Sequence, residues 1–306
     1  MKMKLRYVAL FIGIFISIPL WSQLNISGKV IDSDTRLPIE YATIFNVTSK
    51  TGLFTTEKGN FRIAINQNDT LEVSCVGYKT MRLSNLNQKN NEFSISLDPL
   101  SRALQEVVVS NINWAKYKER KAGYAGIKSN WHVGGKTGLE YAVYIPNQNK
   151  IKDAFVVELN YKMEKWRNDS VLVRLHIYTV SPIGSPGEEL LDSNVIKLLT
   201  GKMKKQISYD ISNFKIRFPE NGLFVGIEWL GVYDPTTNTM ISQEAFEPMV
   251  GFNDNINELI TYTKSPAGNW EKRDLRSLYI HSSIENRVTS KNNPNASFGI
   301  ILKIPK

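Results

Sequence analysis

Two stretches of the chain carry the side chains best suited to chemistry. From Val171 to Val180, strand alternation puts Leu172, Arg174, His176 and Tyr178 on one face and Val171, Val173, Leu175 and Ile177 on the other. From Leu223 to Val232, Glu228 shares a face with Phe224 and Leu230, while Val225, Ile227 and Trp229 oppose it. A carboxylate among apolar neighbours has two readings. It is a general acid whose pKa is raised by burial, or it pairs with a base on a neighbouring strand such as Arg174. The ion pair asks less of the sequence and is preferred. Glycoside hydrolysis needs a second positioned carboxylate; Glu158 is available, but nothing in the spacing brings it close. The face carrying Arg174 and His176 is mixed enough to bind a ligand, although a solvated sandwich face is the simpler expectation.

Metal chemistry finds little support. The three histidines, His132, His176 and His281, are dispersed, and none begins a His-x-x-Glu or His-Glu-x-x-His spacing. No Gly-x-Ser-x-Gly, phosphate loop or dinucleotide fingerprint occurs, so neither a cofactor nor a metal is expected. Aromatic residues offer another route to binding, because exposed rings on a β-sandwich can stack on sugars. Beyond the leader the tryptophans are Trp114, Trp131, Trp166, Trp229 and Trp270. Trp166 at a strand end and Trp270 in a loop are the candidates for such stacking, against structural packing for each. Lys202, Lys204 and Lys205 are basic but lack interleaved aromatics, so nucleic acid is not an expected partner.

The elements that must position these residues are β-rich. The 306 residues are 42% hydrophobic and 22% charged, with a net charge of +9, enough apolar material for one large or two ordinary domains. Lys2, Lys4 and Arg6 precede an apolar run from Tyr7 to Leu20, then Ser22. About 14 apolar residues is short of the roughly 20 a span needs, so residues 1–23 read as an export signal, with a retained anchor helix as the alternative. Cleavage there removes three basic residues and takes the charge from +9 to +6. Cys75, the one cysteine, lies in an alternating run and reads as a small buried hydrophobe.

Short strands are expected at Ile26–Ile31, Ala42–Asn46, Asn60–Ile65, Thr70–Val76, Lys79–Leu83 and Phe93–Leu97, stopping at Asp98-Pro99. The basic stretch Asn113–Lys121 reads as a solvated connector with a helical turn or two. Longer strands follow at Ala154–Met163, Val171–Val180, Gln206–Ile211, Phe214–Phe218, Leu223–Val232, Leu278–Ser282 and Ser297–Ile304, with residues 181–187 as a loop. Asn194–Leu199 is the other segment with a helical reading. The expected division is a leader 1–23, a sandwich 24–99, a connector 100–128 and a larger antiparallel, jelly-roll-like sandwich 129–306, all-β throughout.

The first sandwich also carries a resemblance. Gly28-Lys29-Val30-Ile31-Asp32, Leu37-Pro38-Ile39-Glu40-Tyr41-Ala42-Thr43-Ile44, Gly59-Asn60-Phe61-Arg62-Ile63 and the run from Leu71 to Gly77-Tyr78-Lys79 together resemble the carboxypeptidase-regulatory-like domain. The resemblance covers residues 25–98 and implies a seven-stranded, transthyretin-like sandwich without catalytic residues. Thr56 departs from the acidic or amide residue often found in the family's turn. The domain is similar to the N-terminal extension of TonB-dependent outer-membrane receptors of Bacteroidetes-type bacteria, and Leu104–Val109 looks like the segment before their plug. The receptor's barrel is another matter: 22 strands of about ten residues need roughly 220 strand residues. Only about 200 residues follow Val109, and they end Ile304-Pro305-Lys306 rather than on an aromatic. The expected protein is an exported envelope protein of the periplasm, outer membrane or cell surface, binding a protein or glycan partner without catalysis. A glycan- or peptide-cleaving hydrolase, or an accessory of an outer-membrane transporter, stands as the alternative. The candidate ligand-binding residues are Trp166, Trp270, Arg174, His176 and Glu228.

Overall fold

The computed structural model describes residues 24–66, 68–84, 86, 92–100, 112–126, 132–163, 170–201, 205–237, 239–242, 248–266, 268–275 and 293–306. The leader, Trp131, Trp166, His281 and the segments Leu104–Val109 and Leu278–Ser282 lie outside them.

Seven strands make the first unit: β1 (Leu24–Asp32), β2 (Thr43–Asn46), β3 (Thr51–Phe54), β4 (Asn60–Ile65), β5 (Leu71–Ser74), β6 (Met81–Leu83) and β7 (Glu92–Leu97). They form two sheets, β4-β1-β7 and β3-β2-β5-β6, in which β1 runs antiparallel to β4 and parallel to β7. Strand β4 shows the cause plainly. Phe61, Ile63 and Ile65 are buried while Asn60, Arg62 and Ala64 face solvent, and the buried set meets Ile44, Leu71 and Val73 of the opposite sheet. Gly59, at φ +73, makes the turn into β4; a Cβ there would sit 2.6 Å from the Val30 carbonyl oxygen. Tyr78 reaches back to donate to Asp32 Oδ2 at 2.8 Å, tying the Gly77-Tyr78 bend to the end of β1. Strand β3 carries no alternation, since Thr51 and Gly52 are exposed, and pairing with β2 alone defines it.

The second unit begins with β8 (Tyr117–Gly123), β9 (His132–Val133), β10 (Glu140–Ile145), β11 (Phe155–Lys162), β12 (Ser170–Val180) and β13 (Pro186–Glu189). It continues through β14 (Val195–Leu199), β15 (Gln206–Asp210), β16 (Ile216–Arg217), β17 (Leu223–Asp234) and β18 (Thr239–Ser242). The last strands are β19 (Val250–Ile256), β20 (Thr261–Lys264), β21 (Glu271–Lys272), β22 (Asn293–Ala296) and β23 (Phe298–Pro305). The larger sheet runs β13-β12-β17-β10-β20-β21, with β14 also on β12 and β18 on β17. The facing sheet runs β15-β11-β23-β8 with β16 on β11, and β22-β19-β9 form a small third sheet. The chain crosses between the two main sheets several times, from β10 to β11 to β12 and from β15 to β17, and the unit's first and last strands lie side by side, as in a jelly roll. Val173, Leu175, Val225, Ile227 and Tyr141 pack from one sheet against Val156, Leu159, Ile300 and Leu302 of the other.

Three sequence expectations change. The connector ends early: after a 3-10 turn at Trp114–Lys116, Tyr117–Gly123 is a strand paired with β23 from Gly299↔Gly123 to Pro305↔Tyr117. Its run of charges gives no alternation, and only the free edge of β23 makes it a strand. Val195–Leu199 is strand β14 rather than helix, a short apolar run that periodicity cannot resolve without its partner β12. The 181–187 loop closes at Ser185, and Pro186 opens β13 on a sheet edge, where a missing N–H is tolerated.

Candidate functional site

The outward face of the large sheet collects most of the residues singled out by sequence. Pairing puts Arg174 of β12 opposite Glu228 of β17, Glu228 opposite Glu140 of β10, and Glu140 opposite Lys264 of β20. A single row across four strands therefore reads cation, carboxylate, carboxylate, cation. Two carboxylates directly opposite one another repel, and the flanking cations answer that. Arg174 Nη1 lies 2.8 Å from Glu228 Oε2, and Lys264 Nζ lies 3.1 Å from Glu140 Oε2.

His176, one step along β12, completes the balance. Its Nδ1 is 2.6 Å from Glu189 Oε2, and its Nε2 is 3.5 Å from Glu228 Oε2 and 4.0 Å from Glu140 Oε1. The position opposite His176 is Gly226. A Cβ there would lie 2.9 Å from Glu140 Oε1 and 3.2 Å from His176 Cβ, so glycine is what lets the carboxylate and the ring approach. Tyr178 stacks on His176 with centroids 5.4 Å apart and donates to Glu140 Oε1 at 2.6 Å. Trp270 packs edge-on against Tyr178 at 5.4 Å, with Lys264 Nζ 4.6 Å from its ring centre.

Burial sets the electrostatics. Desolvation alone would lower the His176 pKa, but the charges of Glu140 and Glu189, with the hydrogen bond to Glu189 and the nearby Glu228, outweigh it and push it up to about 9. Desolvation would likewise raise Glu228, but Arg174 and then His176 hold it down to about 2. At neutral pH His176 is an imidazolium, and the cations Arg174, Lys264 and His176 match the carboxylates of Glu140, Glu189 and Glu228. The Nδ1 proton is then donated to Glu189, while Nε2 faces Glu228 at 3.5 Å without closing a hydrogen bond among the described residues. Such a cluster holds charge in place.

The first sandwich closes one end of this face. Arg174 Nη2 donates to the Tyr41 carbonyl oxygen, and its guanidinium lies 5.7 Å from the centre of the Phe54 ring. Tyr41 and Phe54 pack with Leu172, Leu230 and Tyr233 as one buried cluster. Glu57 accepts from both Tyr41, at 3.0 Å, and Tyr233, at 2.7 Å. Asn194 Nδ2 donates to the Glu40 carbonyl at 3.2 Å and to Cys75 Sγ at 3.1 Å. Cys75 is buried in the first core, as its pattern suggests, and also takes part in this junction. The expectation of a solvated face fails here: Arg174 and His176 are 3% and 4% exposed, Arg174 lying under Tyr41 and Phe54 of the first sandwich and His176 against Tyr178 and Glu189.

Glu228 is thus ion-paired, and Glu158 lies away on β11 of the facing sheet, opposite Asp210. His132 begins β9 in the small sheet, apart from His176. Trp229 is fully buried against Gly135, and Trp114 packs with Tyr117 and Phe155.

A groove of about 240 Å³ lies elsewhere, between the end of β8 and the loop after β10. Its lining includes Arg120 and Tyr124 from the end of β8, Pro146, Gln148, Asn149 and Ile151 from the loop, and Phe218. Asn147 braces the loop, donating to the carbonyls of Ile151 at 3.0 Å and Pro219 at 3.2 Å and accepting from the Ile151 amide at 2.8 Å. None of the candidate residues named from sequence lines this groove. Its signal is the basic run Asn113–Lys121, which reads as a solvated connector until β8 is known to be a strand.

Residues 26–109 match the CarboxypepD_reg-like domain family. No curated protein matches the chain. Among solved structures, a clostridial cysteine protease after propeptide cleavage aligns at 11% identity and TM-score 0.36, over 86% of this chain and 65% of its own. The chain therefore spans just under two thirds of that protease. A Bacteroides uniformis protein proposed to bind carbohydrate aligns at 9% identity and TM-score 0.21, covering 74% of this chain and 96% of its own. A DUF3823 family protein from Bacteroides ovatus aligns at 10% identity and TM-score 0.20, covering 75% and 97%. At these scores the alignments carry no argument about function.

Proposed function

We propose that this chain, with a carboxypeptidase-regulatory-like domain at its N-terminal end, is a non-catalytic binding protein of the bacterial cell envelope. It is exported, and it uses the first sandwich as a fixed mount for a second sandwich that holds a glycan or protein partner. The observation that supports this reading most is the charge cluster beneath the docked first sandwich. Its acids and bases neutralise one another, its histidine and its best-placed carboxylate are locked in their charged forms, and one arm of Arg174 reaches into the first domain. Such a network resists separation of the two units rather than transferring protons.

The test is to incubate the purified chain with polysaccharide and peptide libraries, following both retention and release of reducing ends or new amines. Retention without turnover is expected. A second reading has one observation in its favour, the side-by-side carboxylates Glu140 and Glu228 with a histidine between them. If those act as a hydrolytic pair, turnover will appear and Glu228→Gln will abolish it without unfolding the protein; that outcome removes the binding reading.

A further inference from the structure

We propose that the groove beside Arg120 and Tyr124 is a binding site for acidic polysaccharide, taking one or two uronate rings of a longer chain. The inference rests on the binding reading above and names the ligand class and its place.

Charge comes first. The lining holds no acid among the described residues, and the acids within two residues of it are paired: Glu119 with Lys303 at 3.0 Å, Glu220 with Lys150 at 3.9 Å and Asp153 with Arg217 at 3.4 Å; Glu258, whose charge reaches Tyr124, pairs with Lys272 at 3.9 Å. Among the described residues Arg120 has no ion-pair partner, and it is exposed on β8, on the face it shares with Ala122 and Tyr124; Lys121, one residue on, takes the opposite face. Arg120 leaves the groove positive, with a guanidinium whose planar fork fits a carboxylate through two parallel hydrogen bonds.

Shape and lining then choose the ligand. A volume of about 240 Å³ is below the roughly 300–1,000 Å³ of pockets that enclose drug-sized molecules, so it suits a short piece of something longer. Pro146, Ile151 and Phe218 bring apolar surface to the lining, while Gln148 and Asn149 bring exposed amides. A pyranose ring has a C–H face for that apolar surface and hydroxyls for those amides, and a uronate adds the carboxylate for Arg120. An acidic peptide offers carboxylates but neither of the other two features. The site is also built rather than incidental: Asn147 fixes the loop by three hydrogen bonds, and the Tyr124 amide donates to the Phe298 carbonyl at 2.6 Å.

The experiment measures binding of the full chain to soluble polygalacturonate by affinity electrophoresis and calorimetry, with the carboxyl-reduced, neutral polymer as control. Binding should weaken at least tenfold on carboxyl reduction, fall as salt rises, and weaken at least tenfold in the Arg120→Gln variant, while Lys121→Gln, on the opposite face, should leave it unchanged. Both side chains are exposed, so the melting temperature should not move. Equal binding by the Arg120→Gln variant, equal binding to the reduced polymer, or no polyuronate binding overturns the inference. If another glycan or an envelope protein binds in its place, only this site assignment is lost; turnover of the polymer removes the binding reading as well.

Discussion

Arg174 is where the consequences of a single side chain are largest. It is buried, pairs with Glu228 at 2.8 Å and donates to the first domain's backbone. Arg174→Met leaves the Glu228 carboxylate buried without its main counter-charge, which costs about 3–5 kcal/mol. Denaturant melts should show it, and adding Glu228→Leu should restore part of the loss. His176 has the opposite pH signature to Glu228. With its pKa raised from 6.5 to about 9, its stabilisation is complete below pH 6.5 and is lost as pH rises through 9. For a buried group that is of order 3 kcal/mol. Glu228, lowered from 4.5 to about 2, contributes above pH 4.5 and loses its contribution as pH falls through 2. Urea midpoints of the wild type should therefore decline between pH 7 and 9.5, and His176→Gln should flatten that limb and leave the acid limb in place.

At the scale of elements, the strands that bury a complete face were legible and the ones defined by a neighbour were not. β11, β12 and β17 announce themselves by alternation, which also put Arg174 and His176 on one side and Glu228 on a mixed side of its own strand. What alternation could not give was the register that sets Arg174 beside Glu228 and Glu140, because register is a property of pairs of strands. Nor could it show that both faces of β12 are buried, since the first sandwich covers Leu172 and Arg174 and the distant Trp270 packs on Tyr178. β8 and β14 were misread for the same reason, each being a strand only by virtue of β23 or β12. The charges that hid β8 have a use of their own. Among the described residues β23 is its one partner, and Lys118, Glu119, Arg120 and Lys121 keep the other edge from recruiting a second chain. Replacing Lys118 and Arg120 by isoleucine should drive self-association, read as a shift to earlier elution and greater light scattering at raised protein concentration.

Across the whole molecule, the junction between the sandwiches behaves as a core in its own right. Tyr41 and Phe54 contribute from one side and Leu172, Leu230 and Tyr233 from the other, with Glu57 satisfying two hydroxyls at its margin. Cys75, the one thiol in the sequence, lies at this junction and accepts a hydrogen bond from Asn194. Thiol labelling under native conditions is therefore a direct gauge of separation: wild-type Cys75 should react slowly, and Phe54→Asp should speed the reaction at least tenfold while increasing the radius of gyration. A fast wild-type reaction would mean that the two units swing freely. The row Lys264–Glu140–Glu228–Arg174 also bears on how this sequence can drift. Its four members sit on four separate strands, and losing any one strands a charge on the next, so the accessible routes are concerted. In descendants that keep the two sandwiches docked, these positions should change together, as a matched ionic set or as an all-aliphatic one, and halfway combinations should be rare.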